Sequence, residues 1–239
     1  MYRNFLRLIK DLLPSFLPIP YFYKAKLKLM VLPKHHWTQY LQKSYEKETF
    51  TKIRNIFNNY KISNVWDIGA NAGMYSVYIA KKYDCCIHAF EPTKKYFNIL
   101  KRNTYFFKNV YSHNFGIGSI KNKKRIVLTD EPGSNYISNN EFKIEESNIE
   151  ICELKSIKSL KSFTPPNLVK IDVEGYEYEV LKNSLDYFKD NKTLLILEID
   201  NENLERYKKN KDDIFGLLKK HYYSYERISK SNNYFCFLT

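Results

Sequence analysis

The chain has 239 residues, 44% hydrophobic and 16% aromatic, a composition that describes a globular protein with one sizeable core. Its net charge of +13 (39 Lys and Arg minus 26 Asp and Glu) is uneven, since residues 1–61 hold 12 basic residues against 3 acidic ones, which reads either as a solvated basic face, the commoner case, or as a segment meeting an anionic surface or partner. Four cysteines with no CxxC pair and five histidines with no HxH or HExxH group argue against a zinc site and fit a reducing cytoplasm.

Residues 1–32 set Phe5, Leu6, Leu8, Ile9, Leu12 and Leu13 among Arg3, Arg7 and Lys10, and Pro14, Pro18 and Pro20 interrupt them. The apolar run is too short for a transmembrane span, and no small-residue cleavage site follows it. Two readings stand: an amphipathic helix on a membrane surface, or a helix packed on the main domain or on a second copy. Tyr40, Leu41, Tyr45, Phe50, Ile53 and Phe57 recur at three- and four-residue spacings and predict a helix over 38–60. Residues 1–55 are therefore read as a basic helical extension and 56–239 as the main domain.

The main domain opens on Ile62-Ser-Asn-Val-Trp-Asp-Ile-Gly-Ala-Asn-Ala-Gly-Met-Tyr-Ser76. Val65, Trp66 and Ile68 read as a buried strand, Asp67 to Gly73 as a tight glycine turn, and Met74 onward as a helix. Asn71 stands where a dinucleotide fingerprint needs its second glycine, and the GK[ST] ending of a phosphate loop is absent. A carboxylate at the strand tip would repel phosphates but suits a ligand carrying an ammonium group. That points to S-adenosylmethionine (SAM), with a purely structural glycine turn as the other reading. Cys86-Ile-His-Ala-Phe-Glu91 is a second strand, ending in Glu91-Pro92, with Thr93 placed to start a helix to about Arg102. Glu91 follows Gly69 by 22 positions, near the spacing at which α/β nucleotide folds place the carboxylate that binds ribose hydroxyls.

Val110–Phe115 reads as a third strand, followed by Gly116 and Gly118. Residues 119–153 are polar, with alternating runs at 125–129 and 149–154, and predict an antiparallel insertion with a mobile loop around Pro132-Gly133-Ser134. Leu168–Ile171 is a fourth strand with Asp172 and Glu174 at its end, and Gly175 opens a helix with Tyr176, Val180 and Leu181 inward. Thr193–Glu198 is a fifth strand. A helix over about 212–220 follows, then strands at 222–228 and 234–238 that form a closing hairpin. The alternation predicts an α/β, doubly wound and mostly parallel sheet with an antiparallel closing hairpin. All the acids named fall at carboxyl ends of strands, where open α/β sheets bind ligands.

The series VWDIGANAGMYS, HAFEPTKKYFNILKRN, LVKIDVEGYEYEVLKN and LLILEI resembles the FkbM-type family of SAM-dependent methyltransferases over roughly residues 60–200. The resemblance implies a class I, Rossmann-like fold and O-methylation of sugars or other small-molecule hydroxyls. It places the cofactor on Asp67, Gly69, Asn71, Gly73 and Glu91, with Asn114 and Gly116 near the adenine, and it puts Asp172 and Glu174 beside the sulfonium and acceptor. A Thr-Leu-Asp-like element usual in the family is replaced by Glu153-Leu-Lys-Ser156. The acceptor's proton needs a base, for which Asp172 and Glu174 are the candidates, with Lys170 orienting the acceptor or tuning their charge and His113 as a weaker choice. An oxygen-ligated divalent metal on Asp172, Glu174 and Glu198 is a further option, which three acids at strand tips do not by themselves establish. The expected partner is a small-molecule or glycan acceptor, with peripheral membrane contact through the basic N-terminus. The alternatives are nucleic-acid methylation, given pI ≈ 9.3, and a SAM-binding scaffold without turnover. Thr164-Pro-Pro-Asn167 lies before the fourth strand rather than at its end, which disfavours nucleic acid as substrate.

Overall fold

A computed structural model describes residues 16–23, 26–33, 46–119, 122–129, 135–138 and 148–239. In chain order the elements are β1 (Phe16–Tyr23), β2 (Lys26–Pro33), α1 (Lys47–Asn59), β3 (Asn64–Ile68), α2 (Met74–Lys82), β4 (Cys86–Phe90), α3 (Lys94–Thr104), β5 (Val110–His113) and β6 (Gly116–Ile117). There follow β7 (Asn122–Val127), β8 (Tyr136–Ile137), β9 (Ile149–Lys155), a 3₁₀ turn (Ile157–Leu160), β10 (Leu168–Ile171), α4 (Glu177–Asp190), β11 (Leu194–Glu198), α5 (Asn201–Glu205), α6 (Lys211–Lys220), β12 (Tyr223–Arg227) and β13 (Asn233–Leu238).

Seven strands form one sheet in the order β12-β13-β11-β10-β3-β4-β5. All pairs from β11 to β5 are parallel, while β13 is antiparallel to both β11 and β12. The closing hairpin thus inserts its last strand beside β11 and leaves β12 at the edge. The expected fold class holds.

Side chains alternate across the sheet, so register assigns each to a face. Val65, Ile196 and Phe235 join α1 and α2 in one core, and Ala89 meets Leu100 of α3 on the same side. Trp66, Ile68, Val169 and Leu197 pack with α4 and α6 on the other. Trp66, Phe90 and Phe188 are fully buried, each worth about 1.5–3 kcal/mol in removed apolar surface.

The insertion is a four-stranded sheet, β6-β9-β7-β8, antiparallel except for the β6–β9 pair. Ile117, Ile126, Ile137 and Leu154 bury it against the Trp66 side.

The N-terminal extension departs from expectation. Where a helix was predicted, β1 and β2 form an antiparallel hairpin, and β2 runs beside α3. The proline pattern gives the reason. Pro18 and Pro20, which would break a helix interior, pair with Val31 and Leu29, and Pro33 pairs with Phe16. These three pairs share one phase of the ladder, so a hairpin that bonds through the alternate pairs keeps its hydrogen bonds. The predicted helix over 38–60 is observed as α1, and residues 34–45 lie outside the described residues, as do the apolar run Phe5–Leu13 and the predicted loop at Pro132–Ser134.

Candidate active site

The glycine loop is built by close approach. Gly69 (φ +83°) sits where a Cβ would lie 1.8 Å from the Asp172 carbonyl oxygen, so the tips of β3 and β10 can meet only through a glycine. The Gly69 and Ala70 N–H groups both donate to the Phe90 carbonyl at 3.0 Å, and Gly73 (φ +84°) precedes α2 as its cap. Asn71 (φ +50°) turns the loop, and its side chain accepts from the Ala72 N–H at 2.7 Å.

Two carboxylates border this loop. Asp67, 2% exposed, accepts from the Ser76 hydroxyl at 2.6 Å, and burial pushes its pKa up to about 6 against the pull of Ser76 and Lys170. Glu91 accepts from the Thr93 N–H and hydroxyl through Oε1 and from the Asn71 N–H through Oε2. Burial still raises it to about 7. Both groups are dry carboxylates whose charged form gains from further donors or a cation, so a ligand with an ammonium group and sugar hydroxyls fits them.

Asn114 and Gly116 shape the backbone behind Glu91. The Asn114 amide donates to the Glu91 and Pro92 carbonyls at 3.0 and 2.9 Å, bracing the Glu91 turn. Gly116 lies in β6, where a Cβ would meet a Leu154 methyl at 2.7 Å, so it admits the insertion sheet.

Beside the loop, on the Asp67 side of the sheet, lies a charged group. Lys170 is 2% exposed, with Nζ 3.3 Å from Asp172, 3.8 Å from Glu198 and 5.0 Å from the Tyr75 ring centre. Burial presses its pKa down, but Asp172, Glu198, Glu46 and Asp67 together outweigh burial, and it is raised. Glu198 is pushed well up, first by the charge of Asp172 and then by burial. Above Lys170, Tyr75 donates to Glu46 at 2.8 Å and the Asn233 amide donates to the same oxygen at 3.3 Å. Asn233 is 2% exposed, and among the described residues its Oδ1 has no hydrogen-bond partner.

The loop after β10 brings Glu174 close without aiming it at this group. Glu174 takes φ +54° and accepts from the Asn203 amide at 2.8 Å, while burial and then Asp172 raise it to about 8. Glu177, unforeseen in the sequence, braces the loop by accepting from the Val173 and Gly175 N–H groups at 3.0 and 3.2 Å. Burial raises it to about 7. Its position in the first turn of α4 was the available signal. Among the described residues no three His, Cys, Asp or Glu side chains group to hold a metal ion, and Glu174 is turned to Asn203 while Asp172 and Glu198 face Lys170. His113 shares the phase of Phe90, Ile68 and Ile171, opposite to Lys170. It bonds His88 at 3.0 Å and stacks on it, with Phe163 tilted against both rings, and burial with His88 and Lys155 lowers it to about 4.

Comparison with known proteins gives the family and the fold. Residues 67–225 match the model of the Methyltransferase FkbM domain. Methyltransferase 1 of Beauveria bassiana (strain ARSEF 2860) is 30% identical over 145 residues, covering 50% of this chain and 57% of the relative. The crystal structure of methyltransferase FkbM from Methylobacillus flagellatus KT is similar at a TM-score of 0.48 and 14% identity, over 73% of this chain and 43% of that one. A Staphylococcus aureus structure provisionally assigned as a caffeoyl-CoA O-methyltransferase reaches 0.50 at 13% identity, over 80% and 83%. At that identity the Staphylococcus aureus structure speaks for the fold alone, that of class I methyltransferases. The chain thus spans little more than half of its curated relative. Since the matched region takes in the glycine loop, both strand-tip acids and the Lys170 group, the chain belongs to the FkbM methyltransferase domain family.

Proposed function

We propose that this chain is a SAM-dependent O-methyltransferase acting on a hydroxyl of a sugar or glycan. The supporting observation is the placement of the Asp67–Gly73 loop beside buried Lys170 and its half-buried partners Asp172 and Glu198 at neighbouring strand tips. SAM would supply a methyl carbon already activated by its sulfonium. Asp67, Glu91 and the backbone of the Gly69–Gly73 loop hold it. An alcohol is a weak acid, so its proton needs an acceptor as the new bond forms. Asp172, 3.3 Å from the Lys170 ammonium, is placed to take the hydroxyl's proton as charge develops on its oxygen. Lys170 steadies the resulting charge. The orphaned Asn233 Oδ1 and the Glu46 carboxylate add hydrogen-bond acceptors near the same group, which suits a ligand rich in hydroxyls. Four free cysteines agree with action in a reducing cytoplasm.

Titration calorimetry with SAM and S-adenosylhomocysteine tests the cofactor half, with saturable binding of both as the expected result. Incubation with SAM and glycan extracts should then add one methyl mass to a carbohydrate. A folded sample that binds neither cofactor removes the proposal. Binding with no methylated glycan, or methyl transfer to RNA instead, removes the acceptor class.

A further inference from the structure

We infer that the exposed face of α3, continued by the N-terminal hairpin, docks the protein on an anionic lipid surface. This rests on charge and exposure and does not depend on the acceptor. Between Glu91 and Asp130 the sequence has no acidic residue, and between Asp11 and Glu46 it again has none. The fold brings these two acid-free segments together, since β2 runs beside α3. On α3, Lys94, Lys101 and Arg102 are exposed in one helical stripe, while the opposite side buries Tyr96, Leu100, Asn103 and Thr104. At the end of the stripe, Tyr105 is 77% exposed and Phe106 46%. Tyr111, on the edge strand β5, is 51% exposed.

Such large aromatic exposure is costly in water unless a partner covers it, and basic residues beside aromatic ones match the boundary between lipid headgroups and acyl chains. The sequence of the hairpin, FLPIPYFYKAKLKLMVLP, carries the same mixture of apolar residues and lysines. Among the described residues no helix is long and apolar enough to cross a membrane, so the contact is peripheral. A lipid surface is favoured over a nucleic acid because the aromatics stand at one end of the charge stripe instead of alternating along it, as a stacking platform for bases requires.

The test is flotation of the full chain with vesicles of phosphatidylcholine alone or with added phosphatidylglycerol, at low and high salt. Binding should require phosphatidylglycerol and weaken with salt. Lys101→Glu with Arg102→Glu should weaken it about tenfold or more, given that each basic residue near an anionic surface contributes severalfold. Tyr105→Ser with Phe106→Ser should weaken it while leaving the salt dependence in place. Thermal melting and cofactor titration of both variants serve as folding controls. Absent vesicle binding, binding equal in variants and wild type, or tighter binding to single-stranded RNA than to the vesicles would each overturn the inference.

Discussion

Lys170 shows how a single residue organises the site. A buried ammonium is costly alone, and here Asp172 and Glu198 lie within 4 Å of it at the ends of adjacent strands. Removing one carboxylate should cost chemistry before it costs structure. Asp172→Asn is expected to lower turnover about 100-fold or more, the usual range for a lost general base, with SAM affinity changed by less than about threefold. Glu198→Gln should show the same split to a lesser degree, and Glu174→Gln, whose partner is Asn203, should change turnover least. Single-turnover kinetics alongside calorimetry measures each part. A Glu174 effect larger than that of Asp172 would move the base to the other side of the loop. Asp67, Glu91, Asp172 and Lys170 were legible because each sits at or within a short strand that ends in a turn. Glu46 and Asn233 were not, because they meet across 187 positions and carry no local signal.

At the level of elements, glycines mark which turns are obligatory. Gly69→Ala combines a left-handed backbone with a Cβ inside the Asp172 carbonyl, and should destabilise the domain by about 2–4 kcal/mol and abolish cofactor binding. Gly216, exposed within α6 with nothing near its missing Cβ, is the control. Gly216→Ala should stabilise by about 0.5–1 kcal/mol through helix propensity alone. Urea unfolding of both variants checks the contrast, and equal effects would show that the β3–β10 approach is looser than its distances. Helix α6 was readable from its ends, where Asn210 and Asp213 form a capping box. The start of α3 was legible at Thr93, its N-cap, but the partner of its first turn was not. Its first N–H donates to Glu150 at 2.5 Å, from the insertion sheet, a partner 56 positions away.

For the molecule as a whole, buried carboxyls set the response to pH. Asp67, Glu91 and Glu177 are raised by burial to about 6, 7 and 7, and Glu174 to about 8. A raised carboxyl binds its proton more tightly in the folded chain, so its stabilising effect is present below the ordinary carboxylate range and is lost as pH rises through the folded value. His88 and His113 are lowered, mainly by burial, and act in the opposite sense, but only below about pH 6.5, where the unfolded imidazoles charge. The unliganded protein should therefore melt lower at pH 8.5 than at pH 6.5. S-adenosylhomocysteine, by favouring the ionised forms of Asp67 and Glu91, should flatten that slope. Calorimetric melts at both pH values decide it, and a melting temperature that rises over this interval would contradict the burial of these groups. The sequence by itself determined the strand order's raw material: short apolar runs, glycine turns and strand-tip acids are local patterns, set by backbone sterics and side-chain period. The tertiary structure alone decided that β13 slips in beside β11, that Asn233 and Glu46 reach the Lys170 group, and that two acid-free segments share one surface. Those outcomes depend on which distant elements bury each other's apolar faces, and no local pattern encodes that choice.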